Sequence, residues 1–246
     1  MRTIVIGDVH GCIDEMRALV DAVSFRKGAD RLVFVGDLTD RGPDPAGCVR
    51  FARELGAEGV ESNHDEKHVR FRKHEANRLA TGKKNPMKLS PERAAENAAM
   101  SDDDIAWIRG LPQVLHIAPN MVVVHAGLEP AFKVADQSDA VIRVRYVNDA
   151  GEMVGYKEGS LDQPADTVLW ASRWKGPESV IYGHAIHSMT EPRIDRFEGG
   201  ACYSIDTGCV YGGRLTAAVV VPGHEVEFVQ VQAARAYYEM PKGHRE

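Results

Sequence analysis

Five apolar runs in this 246-residue chain each end on a tip of glycine, acid, amide or imidazole, and that repetition restricts the fold more than any bulk property. Residues 2–6 lead into Gly7-Asp8-Val9-His10-Gly11, residues 31–35 into Gly36-Asp37-Leu38-Thr39-Asp40-Arg41-Gly42, and residues 59–61 into Ser62-Asn63-His64-Asp65. Residues 121–124 end on His125-Ala126-Gly127, and residues 179–182 on Gly183-His184. An acid at the mouth of a buried strand is costly unless something cationic faces it. In an open α/β sheet the carboxyl ends of the strands converge on one crevice, so tips distant in sequence can meet in space. A single Asp after a strand is more often a cap or turn former than a ligand; five such tips in succession make a site.

The segments between the tips have helical spacing. Ile13, Met16, Leu19, Val20 and Val23 predict a helix over 13–24, and residues 43–55 predict another. Strand, acidic turn and helix in alternation predict an α/β fold with a mainly parallel sheet covered on both faces. Residues 66–110 read as a charged, alanine-rich helical insertion, broken at Thr81-Gly82 and Asn85-Pro86, with helix starts at Ser90 and Ser101. Alternation over 141–156 around Asn148-Asp149-Ala150-Gly151 predicts an exposed hairpin. Residues 193–197, 202–206 and 214–221 read as closing strands, and 1–246 as a single domain.

Thirty Lys and Arg against 36 Asp and Glu give a formal charge of -6, which denies the chain the basic field of a nonspecific nucleic-acid binder. No apolar run approaches the ~20 residues that span a bilayer, so no membrane partner is expected. Four cysteines (Cys12, Cys48, Cys202, Cys209) without CxxC spacing, and no apolar leader, lead us to expect free thiols and a cytoplasmic protein.

Carboxylate, imidazole and amide oxygen together suit divalent manganese, iron or zinc better than calcium. Asp8 and His10, two positions apart across a tight turn, can point at one ion. Asp37 could share its oxygens between two, with Asn63, His125 and His184 completing the second. Paired ions activate water and stabilise the attacking and leaving oxygens of phosphoryl transfer.

GDVHG, GDLTDRGPD, SNHD, HAG and YGH resemble the motifs of the calcineurin-like metallophosphoesterases, of the branch marked by GDxHG, GDxxDRG, GNH(D/E), HxG and a later His. The resemblance implies the sandwich of that family, central β-sheets flanked by helices. It implies that Asp8, His10 and bridging Asp37 hold one metal, and that Asp37, Asn63, His125 and His184 hold the other. Manganese is the metal expected, with iron, zinc, nickel, cobalt or magnesium as alternatives. His64 matches the general acid that protonates the leaving group, Asp40 the carboxylate that orients it, and Arg41 the arginine that clamps phosphate; Arg173 is a candidate second clamp. Ser62 departs from the pattern, which has glycine there, and so predicts an altered local turn.

LWASRWKGPESVIYGHAIH and SIDTGCVYGGRLTAAVV resemble the bacterial diadenosine tetraphosphatase-like enzymes and the phosphatase module of bacterial polynucleotide kinase-phosphatases more than the eukaryotic serine/threonine phosphatases. The chain shows no GxxxxGK[ST], so no kinase half is expected. The expected reaction is attack of a metal-bridging hydroxide on a phosphoanhydride or phosphoester, with a dinucleoside polyphosphate as first candidate. The alternatives are a phosphoprotein (Ser, Thr or Tyr) or a nucleic-acid end. Lys67, Arg70, Arg72, Lys73, Arg78, Lys83, Lys84, Lys88 and Arg93 could draw a polyphosphate toward the site or form a solvated helix face.

Overall fold

The computed structural model describes residues 1–156 and 163–240. Its first third alternates strand and helix: β1 (Thr3–Ile6), α1 (Ile13–Ala22), β2 (Arg31–Phe34), α2 (Pro45–Leu55) and β3 (Glu58–Gly59). Three helices follow, α3 (Asn63–Thr81), α4 (Pro91–Ala99) and α5 (Asp102–Arg109). Then come β4 (Val114–Ala118), β5 (Met121–Val124), β6 (Tyr146–Val147), β7 (Val168–Leu169), α6 (Trp170–Arg173) and β8 (Ser179–Tyr182). The chain closes with β9 (Arg193–Phe197), β10 (Gly200–Ser204), β11 (Asp206–Thr207), β12 (Arg214–Val220) and β13 (Glu227–Gln232).

The strands form two main sheets. One runs β11-β12-β1-β2-β3 with β13 on the far edge of β12, the other β4-β5-β8-β10-β9, and β6 pairs with β7 apart from both. The expectation of a mainly parallel sheet is corrected: β1, β2 and β3 are parallel, whereas β11, β12 and β13 join antiparallel. In the second sheet β5, β8 and β10 are parallel between antiparallel edges β4 and β9. Alternation along the strands explains why both sheets are covered on both faces. Val5, Val33 and Ala218 of the first sheet meet Val123 and Ile181 of the second in a shared inner layer. Ile4, Ile6 and Phe34 turn the other way, onto Met16, Leu19, Val49 and Ile108 of the helices. Val122, Val124 and Val180 turn outward onto Trp170 and Trp174. The result is a β-sandwich between helical and loop layers, a mixed α/β fold.

The helix ends follow the sequence signals. Asp44 caps α2 by accepting the Gly47 N–H at 2.8 Å, which starts the helix at Pro45, two residues later than the spacing predicts. Ser101 and Asp104 form a reciprocal capping box on α5 (2.9 and 3.1 Å). Thr81-Gly82 ends α3, with Gly82 left-handed. The hairpin turn is narrower than 141–156. Val154 N–H donates to the Tyr146 carbonyl at 3.0 Å and Asn148 N–H to that of Glu152 at 3.0 Å, but β6 pairs along its length with the distant β7. Residues 139–142 form a 3-10 turn instead, because Val141 and Ile142 are both buried.

Candidate metal centre

The five polar tips sit at the carboxyl ends of β1, β2, β3, β5 and β8, and hydrogen bonds tie them together. The N–H groups of Val9 and His10 donate to the Asp37 carbonyl (3.2 and 2.8 Å), and Gly183 N–H donates to that of His125 (2.8 Å). His184 N–H reaches the Asp8 carboxylate at 3.0 Å, and His64 N–H reaches Asp37 Oδ1 at 3.2 Å. Asp65, fully buried, accepts from the N–H groups of Leu38 and Thr39 and from the Thr39 hydroxyl, fixing the loop after β2. Ser62 is extended (φ -129°) and needs no glycine; its hydroxyl accepts from Asp37 N–H at 2.9 Å and caps α3 through Asp65 N–H. The substituted serine therefore braces the loop that carries Asp37.

Five of the seven non-glycine residues with positive φ among the described residues belong to this cluster: His10, Asp37, Asp40, Arg41 and His184. Each costs of order 1–3 kcal/mol and persists only where the surroundings overdetermine it, a pattern concentrated at functional sites. Gly183 allows the closest approach, since a methyl group on it would collide with Asp8 Oδ1.

The imidazole tautomers follow from their outer partners. His10 Nδ1 donates to the Thr39 carbonyl (2.8 Å) and His125 Nδ1 to that of Val35 (2.9 Å), so both Nε2 atoms carry bare lone pairs. Tyr156 donates to the Arg143 carbonyl (3.0 Å) and its oxygen accepts from His184 Nε2–H (2.6 Å), which leaves His184 Nδ1 bare as well. His125 Nε2, His184 Nδ1 and Asn63 Oδ1 then face one another at 2.9, 3.1 and 3.2 Å. Three lone pairs cannot satisfy one another, whereas a cation among them satisfies all three.

The carboxylates carry the same demand. Burial, with Asp206 and Asp37 nearby, pushes Asp8 well above the ordinary carboxylate range, and burial pushes Asp206 up to about 6. Burial holds His10, His125 and His184 below the ordinary histidine range, in the neutral form that ligates. Two groups of donor atoms, each within 4.8 Å, share Asp37: His10, Asp37 and His64 in one, Asp37, His125 and His184 in the other. The donor set fits a pair of divalent ions.

Arg41 lies against the cluster. Its guanidinium donates to His10 Nε2 (2.6 Å) and His64 Nε2 (3.0 Å) and sits 5.5 Å over the Tyr211 ring. His64 Nδ1 donates to Asp40 in a short hydrogen bond. Arg173, by contrast, forms an exposed ion pair with Asp149 at 2.8 Å. Three residues not singled out in the sequence belong to the surroundings. Asp206 faces Asp8 from the start of β11, Tyr156 fixes the His184 tautomer, and Arg145, over the Tyr156 ring at 4.7 Å, acts electrostatically on His184 and Asp206. Asp206 stands in the quoted SIDTG stretch and was legible there; Tyr156 and Arg145 depend on the pairing of β6 with β7.

Comparison with known proteins identifies the family. The family model described as calcineurin-like phosphoesterase matches residues 1–228. A symmetrical bis(5'-nucleosyl)-tetraphosphatase of Methylococcus capsulatus is 29% identical over 86% of this chain and 89% of its own length. The asymmetrical bis(5'-nucleosyl)-tetraphosphatase PrpE of Bacillus subtilis is 31% identical over 96% of each chain. A crystal structure described provisionally as a diadenosine tetraphosphatase superposes with a TM-score of 0.74 at 31% identity, over 94% of this chain and 93% of that one.

Proposed function

The chain belongs to the calcineurin-like phosphoesterase family and is a hydrolase, and from that premise we propose that it is a dimetal phosphohydrolase of dinucleoside polyphosphates or related nucleotides. The observation that carries the metal part of this reading is the trio of mutually facing lone pairs on His125, His184 and Asn63 beside the buried acids Asp8 and Asp37. The substrate part rests on similarity to relatives named as tetraphosphatases.

In this reading Asp8, His10 and Asp37 hold one ion, and Asp37, Asn63, His125 and His184 hold the other. Divalent ions there would supply Lewis acidity to the phosphoryl oxygens and would acidify water. Arg41, whose fork already donates to two imidazole nitrogens, transfers those donors to phosphate oxygens, a bidentate match that lysine lacks. When Arg41 swings onto phosphate it frees His64 Nε2, which takes up a proton from water while Nδ1 keeps its own proton on Asp40; the Nε2 proton then passes to the leaving oxygen. Tyr156 holds the His184 tautomer throughout, and Arg145 adds positive charge on that side.

The test compares diadenosine tetraphosphate, a phosphopeptide and a phosphorylated oligonucleotide by kcat/KM with manganese, and separates the products to locate the cleaved bond. The dinucleotide is expected to lead, and His64→Ala to lower its kcat roughly 10²–10⁴-fold. A higher kcat/KM for the phosphopeptide would overturn the substrate assignment. Undiminished activity in Asp37→Asn would overturn the metal assignment.

A further inference from the structure

We propose that Arg93, on the first turn of α4, is a positioning residue that locks the Asp40 carboxylate and through it aims His64. The inference rests on the proposed role of His64 as general acid. It extends that role to a helix that the motifs do not reach.

Asp40 is 3% exposed and left-handed at φ +70°, so its backbone is committed and only the carboxylate plane stays free to turn. A single imidazole on one oxygen would leave that rotation open. Arg93 closes it with a fork-to-carboxylate pair: Nε donates to Oδ1 at 2.7 Å, and a terminal nitrogen donates to Oδ2, the oxygen that also receives His64 Nδ1–H. His68 Nε2 supports Oδ1 from the other side at 3.2 Å. Behind His68, the Asn97 amide lies 3.2 Å from Nδ1, and Arg72 fixes Asn97 through its side-chain oxygen (2.8 Å) and its carbonyl (2.7 Å). A continuous chain thus runs from Arg72 through Asn97 and His68 to Asp40 and His64.

The start of α4 is built to present Arg93. Ser90 accepts the Arg93 N–H at 3.3 Å as N-cap, and Pro91 opens the helix. Two of the basic residues that the sequence groups with a solvated face therefore turn inward. Glu96, one turn on, lies 3.7 Å from His68 Nε2, and its Oε2 has no hydrogen-bond partner. Arg93 lies beside both carboxylates, and its fork is on Asp40.

The experiment uses the manganese-loaded full chain and aryl phosphates of graded leaving-group acidity, in wild-type and His64→Ala backgrounds, with thermal melts of every variant. Phenyl phosphate needs a proton on its leaving oxygen, and dinitrophenyl phosphate does not. Arg93→Ala is expected to lower kcat on phenyl phosphate roughly tenfold, as expected for a misaimed group, with KM unchanged and dinitrophenyl phosphate within about twofold. Arg93→Lys should fall between wild type and Arg93→Ala. In the His64→Ala background, Arg93→Ala should change nothing, because the residue it aims is gone. Should Arg93→Ala fail to fold, Arg93→Gln, which keeps length and one donor, is judged by the same criteria. A loss in KM, an equal loss for all leaving groups, or a loss that persists without His64 would overturn the proposal. If His64→Ala alone is as fast as wild type, the general-acid reading falls and this inference falls with it. If His64→Ala is slow but Arg93→Ala is not, only this inference falls.

Discussion

At the scale of the residue, the carboxyl groups around Asp40 differ sharply although they share one pocket. Burial opposes the charge on Asp40, but hydrogen bonds from His64, His68 and Arg93 outweigh it and hold that carboxyl far below the ordinary range. Glu96 is not gripped by that trio and instead shares a hydrogen bond with Asp40 itself. Burial, then the charge of Asp40, pushes it up from 4.5 to about 7. The folded protein therefore keeps a proton on Glu96 that the unfolded chain releases, and the stability linked to it is complete below the ordinary value of 4.5 and lost as pH rises through about 7. Glu96→Gln keeps the shape and removes the charge. It should melt above wild type at pH 8 and converge with it near pH 4, as followed by calorimetry of the metal-free protein; a constant difference across that range would exclude Glu96 as the titrating group. The five left-handed residues of the cluster belong to the same scale, because glycine-like backbone at His10, Asp37 and His184 is what lets strand-end side chains turn toward one another.

At the scale of the element, each strand ends where its side chain is needed, and the packing between tips leaves no slack. Gly183 shows this most clearly. A methyl group there would strike Asp8 Oδ1 and press on Val35 at the end of β2. Gly183→Ala should leave the sandwich folded, since the inner layer of Val5, Val33, Val123 and Ile181 is untouched, yet lower manganese affinity about 10–100-fold by displacing Asp8. Isothermal titration measures this directly, and unaltered affinity would mean that Asp8 lies outside the metal set. The strands and tips were legible in the sequence because each motif is contiguous with its strand and the apolar runs are continuous. What escaped was non-local. Strand β4 ladders with β5 through a kink at residues 116–118 and is only half-buried, and its short run Val114-Leu115-His116-Ile117-Ala118 is interrupted by His116 and lacks a polar tip. The partner of β6 lies about twenty residues on, at β7, where local alternation suggests only a hairpin. Arg93 and His68 reach Asp40, and Asn97 braces His68 behind it, only because α4 and α3 pack against the loop after β2. Nothing in a run of charged helix says which face turns inward.

At the scale of the whole molecule, the fold gathers more negative charge at one end of the sandwich than its own side chains neutralise. Asp8, Asp37 and Asp206 are each 7% exposed or less, and the pairs among them raise Asp8 and Asp206 rather than stabilise them. Arg41, the cation nearest Asp8, is engaged with two imidazole nitrogens, and Arg145 stacks over the Tyr156 ring. The metal-free sandwich is therefore held together by its three apolar layers in spite of its site, and cations that bind only the folded form should repay that burden through mass action. At a hundred times its dissociation constant, manganese would add about 2.7 kcal/mol per site. For a chain of this size that is a rise in Tm of roughly 5–10 °C. Asp8→Asn should do two opposite things at once. It should raise the Tm of the metal-free protein at neutral pH, because folding no longer has to bury the Asp8 carboxylate or protonate it, and it should shrink the manganese-dependent rise, because a ligand has gone with it. Paired melts with chelator and with manganese separate the two effects. A metal-free Asp8→Asn protein that melts below wild type, or a manganese shift of undiminished size, would mean that the acids at the strand ends are neutralised from within the fold and not by bound cations.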